Sequence, residues 1–222
     1  MGVACKFAGR YDEAAAAYAR ALPVAEALVE SDPQLLATLL HNLGGLAHSR
    51  GDDASAQLLA RRGLTLRESC CGPEDAAVAA DAAALAAILE GLERFEASEA
   101  LYRRALAIWE AEGDDYEIGM TLNGLAAVIR FSGRALEAEP LFRRALRLLE
   151  DDRGAGHPDT ATVRNNLAML LNATGRADVA LSLLETALGD LEAMVGTEHP
   201  ATRDVRANRD RIAAALTGSP AP

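Results

Sequence analysis

Gly133-Arg134-Ala135-Leu136-Glu137-Ala138 is answered 42 residues later by Gly175-Arg176-Ala177-Asp178-Val179-Ala180. The same register recurs upstream as Glu93-Arg94-Phe95-Glu96-Ala97-Ser98, Gly51-Asp52-Asp53-Ala54-Ser55-Ala56 and Gly9-Arg10-Tyr11-Asp12-Glu13-Ala14. From first to last the steps are 42, 42, 40 and 42. Five copies of one unit therefore fill the chain, and a period in this range marks an array of small supersecondary units.

Each copy carries two apolar stripes at helical spacing. Five, nine, twelve and sixteen positions past the turn column stand, for example, Ala138, Phe142, Ala145 and Leu149, or Ala180, Leu184, Ala187 and Leu191, which share one helical face. The same columns hold Ala14, Tyr18, Ala21 and Ala25; Ala56, Ala60, Gly63 and Arg67; and Ser98, Tyr102, Ala105 and Trp109. Upstream of the turn, a leucine eight positions earlier is followed by a small residue and two apolar ones, as in Leu43-Gly44, Leu85-Ala86, Leu125-Ala126 and Leu167-Ala168. The spacing predicts a first helix ending near the turn and a second, antiparallel helix after it, each roughly 25 Å long at 1.5 Å per residue. One such hairpin cannot bury both faces, so neighbours are expected to stack into a single curved solenoid.

Composition agrees with an all-helical chain. Half of the 222 residues are hydrophobic and aromatics make up only 4%, a balance that favours helix interiors over strand surfaces. The net charge of −11 repels phosphate backbones and anionic lipid, which argues against nucleic-acid and membrane-surface partners. No signal-like segment opens the chain, and its most apolar run, Ala76 to Leu89, is broken by Asp81. A soluble cytoplasmic protein is the expectation. The three cysteines, Cys5, Cys70 and Cys71, have neither disulfide-framework nor zinc-site spacing.

The Leu-small pair, the turn glycine and the small residues five and twelve positions later resemble the tetratricopeptide repeat (TPR). The step near 42, with Gly154-Ala155-Gly156-His157-Pro158-Asp159-Thr160 and Asn165-Asn166-Leu167-Ala168, is similar to the longer-helix subtype of kinesin light chains. Gly196-Thr197-Glu198-His199-Pro200-Ala201-Thr202 repeats the phrase. HEAT-type repeats share the period without implying a paired ladder of small residues. The resemblance implies a right-handed superhelical solenoid over residues 1–216. Its parts are a partial repeat at 1–30, repeats at 33–71, 74–112, 115–152 and 158–195, a cap helix at 200–216 and a disordered tail at 217–222.

The two ends differ from the interior. Only eight residues precede Gly9, so the first repeat has half a first helix, and apolar surface around Val3, Ala4 and Phe7 would be covered by further chain or by a second copy. In the last helix Arg209 and Asp210 occupy the Leu and small-residue columns, as befits a solubilising cap.

Catalytic chemistry is not signalled. There is no Gly-rich phosphate loop, G-x-S-x-G elbow or H-E-x-x-H helix, and no cofactor is implied. His41 and His48 lie two helical turns apart, about 10.5 Å, too far to share a metal ion. His157 and His199 precede prolines, where capping geometry explains them. Cys70 and Cys71 read as small hydrophobes or, alternatively, as a redox pair.

In TPR proteins the first helices line the concave face, and the resemblance places there His41, Asn42, His48, Asn123, Arg130, Asn165, Asn166, Asn172, Asn208 and Arg211. Ala80, Ala83, Ala84 and Ala87 leave room between them for bulky ligand side chains. A carboxamide both donates and accepts, so it can pair with a peptide bond without reading its side chain. The family uses Asn in the column before the Leu for this purpose. Asn42, Asn166 and Asn208 match that column, whereas Ala84 and Gly124 depart from it. The bland reading is that these asparagines tie helices together or face water. Only Arg130 and Arg211 are available for a carboxylate clamp, which argues against chaperone-tail binding. The expectation is a non-enzymatic scaffold that binds an extended peptide or helix of a protein partner. The alternative is an assembly or sensing segment of a larger regulator, such as an ATPase or transcription factor, acting or self-associating through its N-terminal end.

Overall fold

The computed structural model describes residues 11–217, and these form ten α-helices with no strand among them. In order they are α1 (Tyr11–Ala27), α2 (Pro33–Ser49), α3 (Asp53–Cys71), α4 (Ala76–Gly91), α5 (Phe95–Glu112), α6 (Asp115–Phe131), α7 (Ala135–Arg153), α8 (Pro158–Ala173), α9 (Ala177–Val195) and α10 (Pro200–Thr217). The surface expected around Val3, Ala4 and Phe7, and Cys5, lie outside the described residues, as do residues 218–222. Helix α10 continues through Thr217, the first residue of the expected tail. No described helix is long and apolar enough to cross a membrane.

Six of the helices, α2, α3, α4, α6, α8 and α10, have starts set by side chains. Asp32, Asp52, Asp75 and Asp114 accept the backbone N–H of Leu35, Ser55, Ala77 and Glu117, satisfying donors that the first turn leaves orphaned, each worth about 1 kcal/mol. The two His-Pro phrases do the same with an imidazole. His157 Nδ1 accepts from Asp159 N–H at 3.3 Å, and His199 Nδ1 from Ala201 N–H at 3.2 Å, while Pro158 and Pro200 begin their helices.

The tight turn inside each hairpin is closed in one recurring way. Asp52, Arg94, Arg134 and Arg176 donate their N–H groups to the carbonyls of Ala47, Leu89, Ile129 and Leu171, five residues back, the long bond of a Schellman turn. That turn needs a left-handed residue, supplied by Gly51, Gly133 and Gly175, but in the third repeat by Glu93 at φ 57°. Left-handed backbone costs a side-chain-bearing residue roughly 1 kcal/mol or more, partly offset by glycine's greater unfolded-state freedom. Glu93→Gly is therefore expected to raise stability by about 0.5–1 kcal/mol, seen as a higher urea midpoint at unchanged slope. A lower midpoint would contradict this account of the turn.

The chain divides into two compact halves, residues 1–112 and 113–222. In the N-terminal half α2 pairs with α3 and α4 with α5, and α3 also packs on α4. In the C-terminal half α6 pairs with α7 and α8 with α9, with α8 also on α7 and α10 on α9. First helices of successive repeats touch as well: α2 with α4, α6 with α8, and α8 with α10.

The second-helix stripe is buried in the four later repeats. Ala138, Phe142, Ala145 and Leu149, for example, have no exposed surface. Ala21 departs from the expected stripe and is exposed. One repeat later the same column packs on the first helix of its own repeat, with Gly63 against Leu40 and Ala37. Surface ties also repeat with the period. Arg62 bonds Glu26, and one repeat later Arg104 bonds Glu68. Arg164 bonds Glu150 at 2.5 Å, and Arg206 bonds Glu192 at 2.8 Å.

Candidate functional site

The first helices present their unburied face as a strip of small and amide side chains, different in the two halves. In the N-terminal half Ala80, Ala83, Ala84 and Ala87 of α4 are half-buried along this strip. Beside α2, Ala21, Val24, Ala25, Leu35, Thr38, Leu39 and Asn42 line an open depression of about 300 Å³ with a mostly apolar wall. Asn42 turns its amide along its own helix, donating to Thr38 O at 2.9 Å.

The two histidines of this strip are tied to neighbouring elements. His48 Nδ1 is 2.8 Å from Asp53 Oδ1, with its ring against Gly91 of α4. His41 Nδ1 is 2.7 Å from Asp81 Oδ1 on α4, and the other oxygen of Asp81 takes Arg67 Nε at 3.1 Å. Arg67 also donates to Thr38 Oγ1 at 3.1 Å and Gln34 O at 3.5 Å. Asp81 is 3% exposed and Arg67 8%, so this is a buried charge pair with each guanidinium nitrogen engaged and a half-exposed imidazole at its edge. It went unrecognised from sequence although both signals were visible: an acid inside an apolar run, and an arginine in a stripe column.

In the C-terminal half the asparagines pair across adjacent first helices. Asn166 Nδ2 on α8 donates to Asn123 Oδ1 on α6 at 2.9 Å, and Asn208 Nδ2 on α10 donates to Asn165 Oδ1 on α8 at 2.7 Å. Both pairs are 43 residues apart, one more than the repeat step, because the tenth column before a turn meets the ninth column of the next repeat. Arg211 adds a bond to Asn208 Oδ1 at 2.5 Å and rests against Met169 Sδ at 3.9 Å. All four asparagines remain partly exposed. One N–H···O bond uses only part of a carboxamide pair, so whichever way the amides are turned, each pair keeps an unused NH2 and carbonyl capacity.

The remaining candidates sit nearby with other roles visible. Arg130 lays its guanidinium 4.2 Å from the centroid of the Phe131 ring, a cation–π contact. Asn172 uses its backbone carbonyl in closing α8, accepting from Gly175 N–H at 3.1 Å, with its side chain half-buried. Arg164, 4% exposed, is held by Glu150 and by Asp190 at 2.7 Å. Burial opposes its charge, but those two carboxylates raise its pKa above the usual arginine value. No group of three or more His, Cys, Asp or Glu side chains that could hold a metal ion occurs among the described residues.

Comparison with known proteins agrees with this architecture. Residues 1–69 and 117–193 match one tetratricopeptide repeat model and residues 82–112 match a second; the chain belongs to the TPR family, whose domains are generally protein–protein interaction modules. No curated protein matches. Among solved structures the chain is similar to BtubC (BKLC) from P. vanneervenii, at 22% identity over 93% of this chain and 84% of that one, with a TM-score of 0.77. A putative kinesin light chain with TPR-like repeats from Podospora anserina aligns at 18% identity over 85% of this chain and 90% of the other, with a TM-score of 0.70. A thermophilic TPR protein of Thermus thermophilus aligns at 23% identity over 97% of this chain and 95% of that one, with a TM-score of 0.66. At these identities the likeness establishes the shared helical-repeat fold.

Proposed function

We propose that this chain is a non-enzymatic interaction module that holds an extended segment of a protein partner against the first helices of its C-terminal half. The observation that carries the reading is the pair of asparagine bridges, Asn123 with Asn166 and Asn165 with Asn208, each on a half-exposed surface with hydrogen-bonding capacity left over. A peptide backbone offers one donor and one acceptor per residue, and a carboxamide bridge offers the same two functions in return. Fixing each amide against its neighbour lowers the side-chain entropy that binding would otherwise cost. Arg211 and Arg130 supply positive charge at the edges of the strip, and Met169 supplies an adaptable apolar contact.

The test uses peptides selected against the intact chain from a random display library, with affinity measured by fluorescence anisotropy. Substituting Asn165 and Asn166 together by alanine is expected to weaken the selected peptides about tenfold, the loss of one to two hydrogen bonds. The melting temperature should hold, because the amides are partly solvated. Unchanged affinity, or peptides that protect only the second helices from hydrogen exchange, would rule the inner strip out as the binding surface.

A further inference from the structure

At the C-terminal end of α3, Cys70 Sγ and Cys71 Sγ lie 3.4 Å apart, both partly exposed. Adjacent cysteines brought this close form a two-sulfur donor set, and its span shows which centres it fits without rearrangement. A disulfide would need the sulfurs to close to about 2.05 Å. A linear two-coordinate ion would need them on opposite sides of it, about 4.6 Å apart at metal–sulfur bonds near 2.3 Å. A pyramidal centre with its sulfur bonds near a right angle needs about 3.3 Å at that same bond length. Structural zinc is excluded on a different ground: it takes four ligands, and no third His, Cys, Asp or Glu completes such a group among the described residues.

We propose that Cys70 and Cys71 are a vicinal dithiol site for a trivalent thiophilic centre of the arsenic(III) class. With an organoarsenic oxide the two S–H bonds and the arsenic–oxygen bond break and two arsenic–sulfur bonds form. The two protons leave with the oxygen as water, and arsenic stays trivalent, so no oxidant is required. The organic substituent takes the third position, toward the open side of the half-exposed thiols. Cys70 is oriented by its S–H···O contact to Arg67 O at 3.4 Å, and the helix ends immediately after Cys71 at Gly72, φ 91°, whose N–H bonds Glu68 O. The Cys70 hydrogen bond and then burial raise the Cys71 thiol above its usual pKa.

The experiment mixes the reduced full chain with one equivalent of phenylarsine oxide and reads intact mass and titratable thiols. The expected product carries one phenylarsenic group, with free thiols falling from the three of the sequence to one. It should resist a large excess of glutathione and release to a small dithiol such as dimercaptopropanol. Cys70→Ser and Cys71→Ser should each lose the glutathione-resistant product, with helical circular dichroism reporting that the fold is kept, whereas Cys5→Ser should retain it. Preorganisation predicts an affinity at least about tenfold higher in the folded chain than in urea. Loss of capture in Cys5→Ser, ready stripping of the wild-type adduct by glutathione, or equal affinity in folded and unfolded chains would each overturn the proposal.

Discussion

Asp81→Ala is expected to destabilise the N-terminal half by about 3–5 kcal/mol, because it leaves the buried Arg67 guanidinium without its counter-charge. The remaining bonds to Thr38 and Gln34 satisfy donors but supply no negative charge. His41 would lose its partner at the same time. The size of the effect comes from stranding a charge, and this can be checked directly by removing both charges together. The other repeats place Leu39, Thr121 and Val163 where Asp81 stands, and Ala25, Trp109, Leu149 and Leu191 where Arg67 stands. Asp81→Val combined with Arg67→Leu should therefore recover most of the loss, since apolar replacement of a buried pair is often neutral. Urea unfolding followed by hydrogen exchange over α2–α4 measures both. A single variant within about 1 kcal/mol of wild type, against the roughly 3–5 kcal/mol expected, would show that the pair is not electrostatically coupled.

Phe142→Ala should cost the C-terminal half about 3–5 kcal/mol, through lost transfer energy and the cavity left behind. Phe142 has no exposed surface, and it sits among Ala138, Ala145 and Leu149 on the stripe of α7. Phe142→Leu should be markedly milder, because the same column of the next repeat accommodates Leu184 at full burial. Interactions in stacked repeats are mainly local, so exchange protection is expected to fall first in α6–α8. A loss spread evenly over both halves would contradict that locality.

The helical-hairpin architecture was legible in the sequence because its causes are local and repeated. A glycine column ends the first helix, small residues at two fixed offsets let helices approach, and apolar residues at helical spacing define what must be covered. Five imperfect copies make each column readable even where one member deviates, as Glu93 does in the turn. The stripe column is less telling at Ala21, which is exposed, whereas Gly63 one repeat later packs on Leu40 of its own repeat's first helix.

The amide strip was legible only as a set of residues. Sequence placed Asn123, Asn165, Asn166 and Asn208 on first helices, but not whether each would face a ligand, its own backbone or a neighbour. Asn42 bonds its own helix, and the other four bond one another. The 43-residue offset that joins them arises from how adjacent helices are staggered, a quantity fixed by packing.

Thus the chain by itself determined its secondary structure, its hairpin order and its membership of a repeat family, since periodic burial and turn chemistry act over one or two helical turns. Tertiary structure alone decided that Asp81 meets both Arg67 and His41, that the asparagines bridge repeats in pairs, and that two neighbouring thiols stand 3.4 Å apart. Side-chain partners depend on rotamers and interhelix stagger, which no single column records.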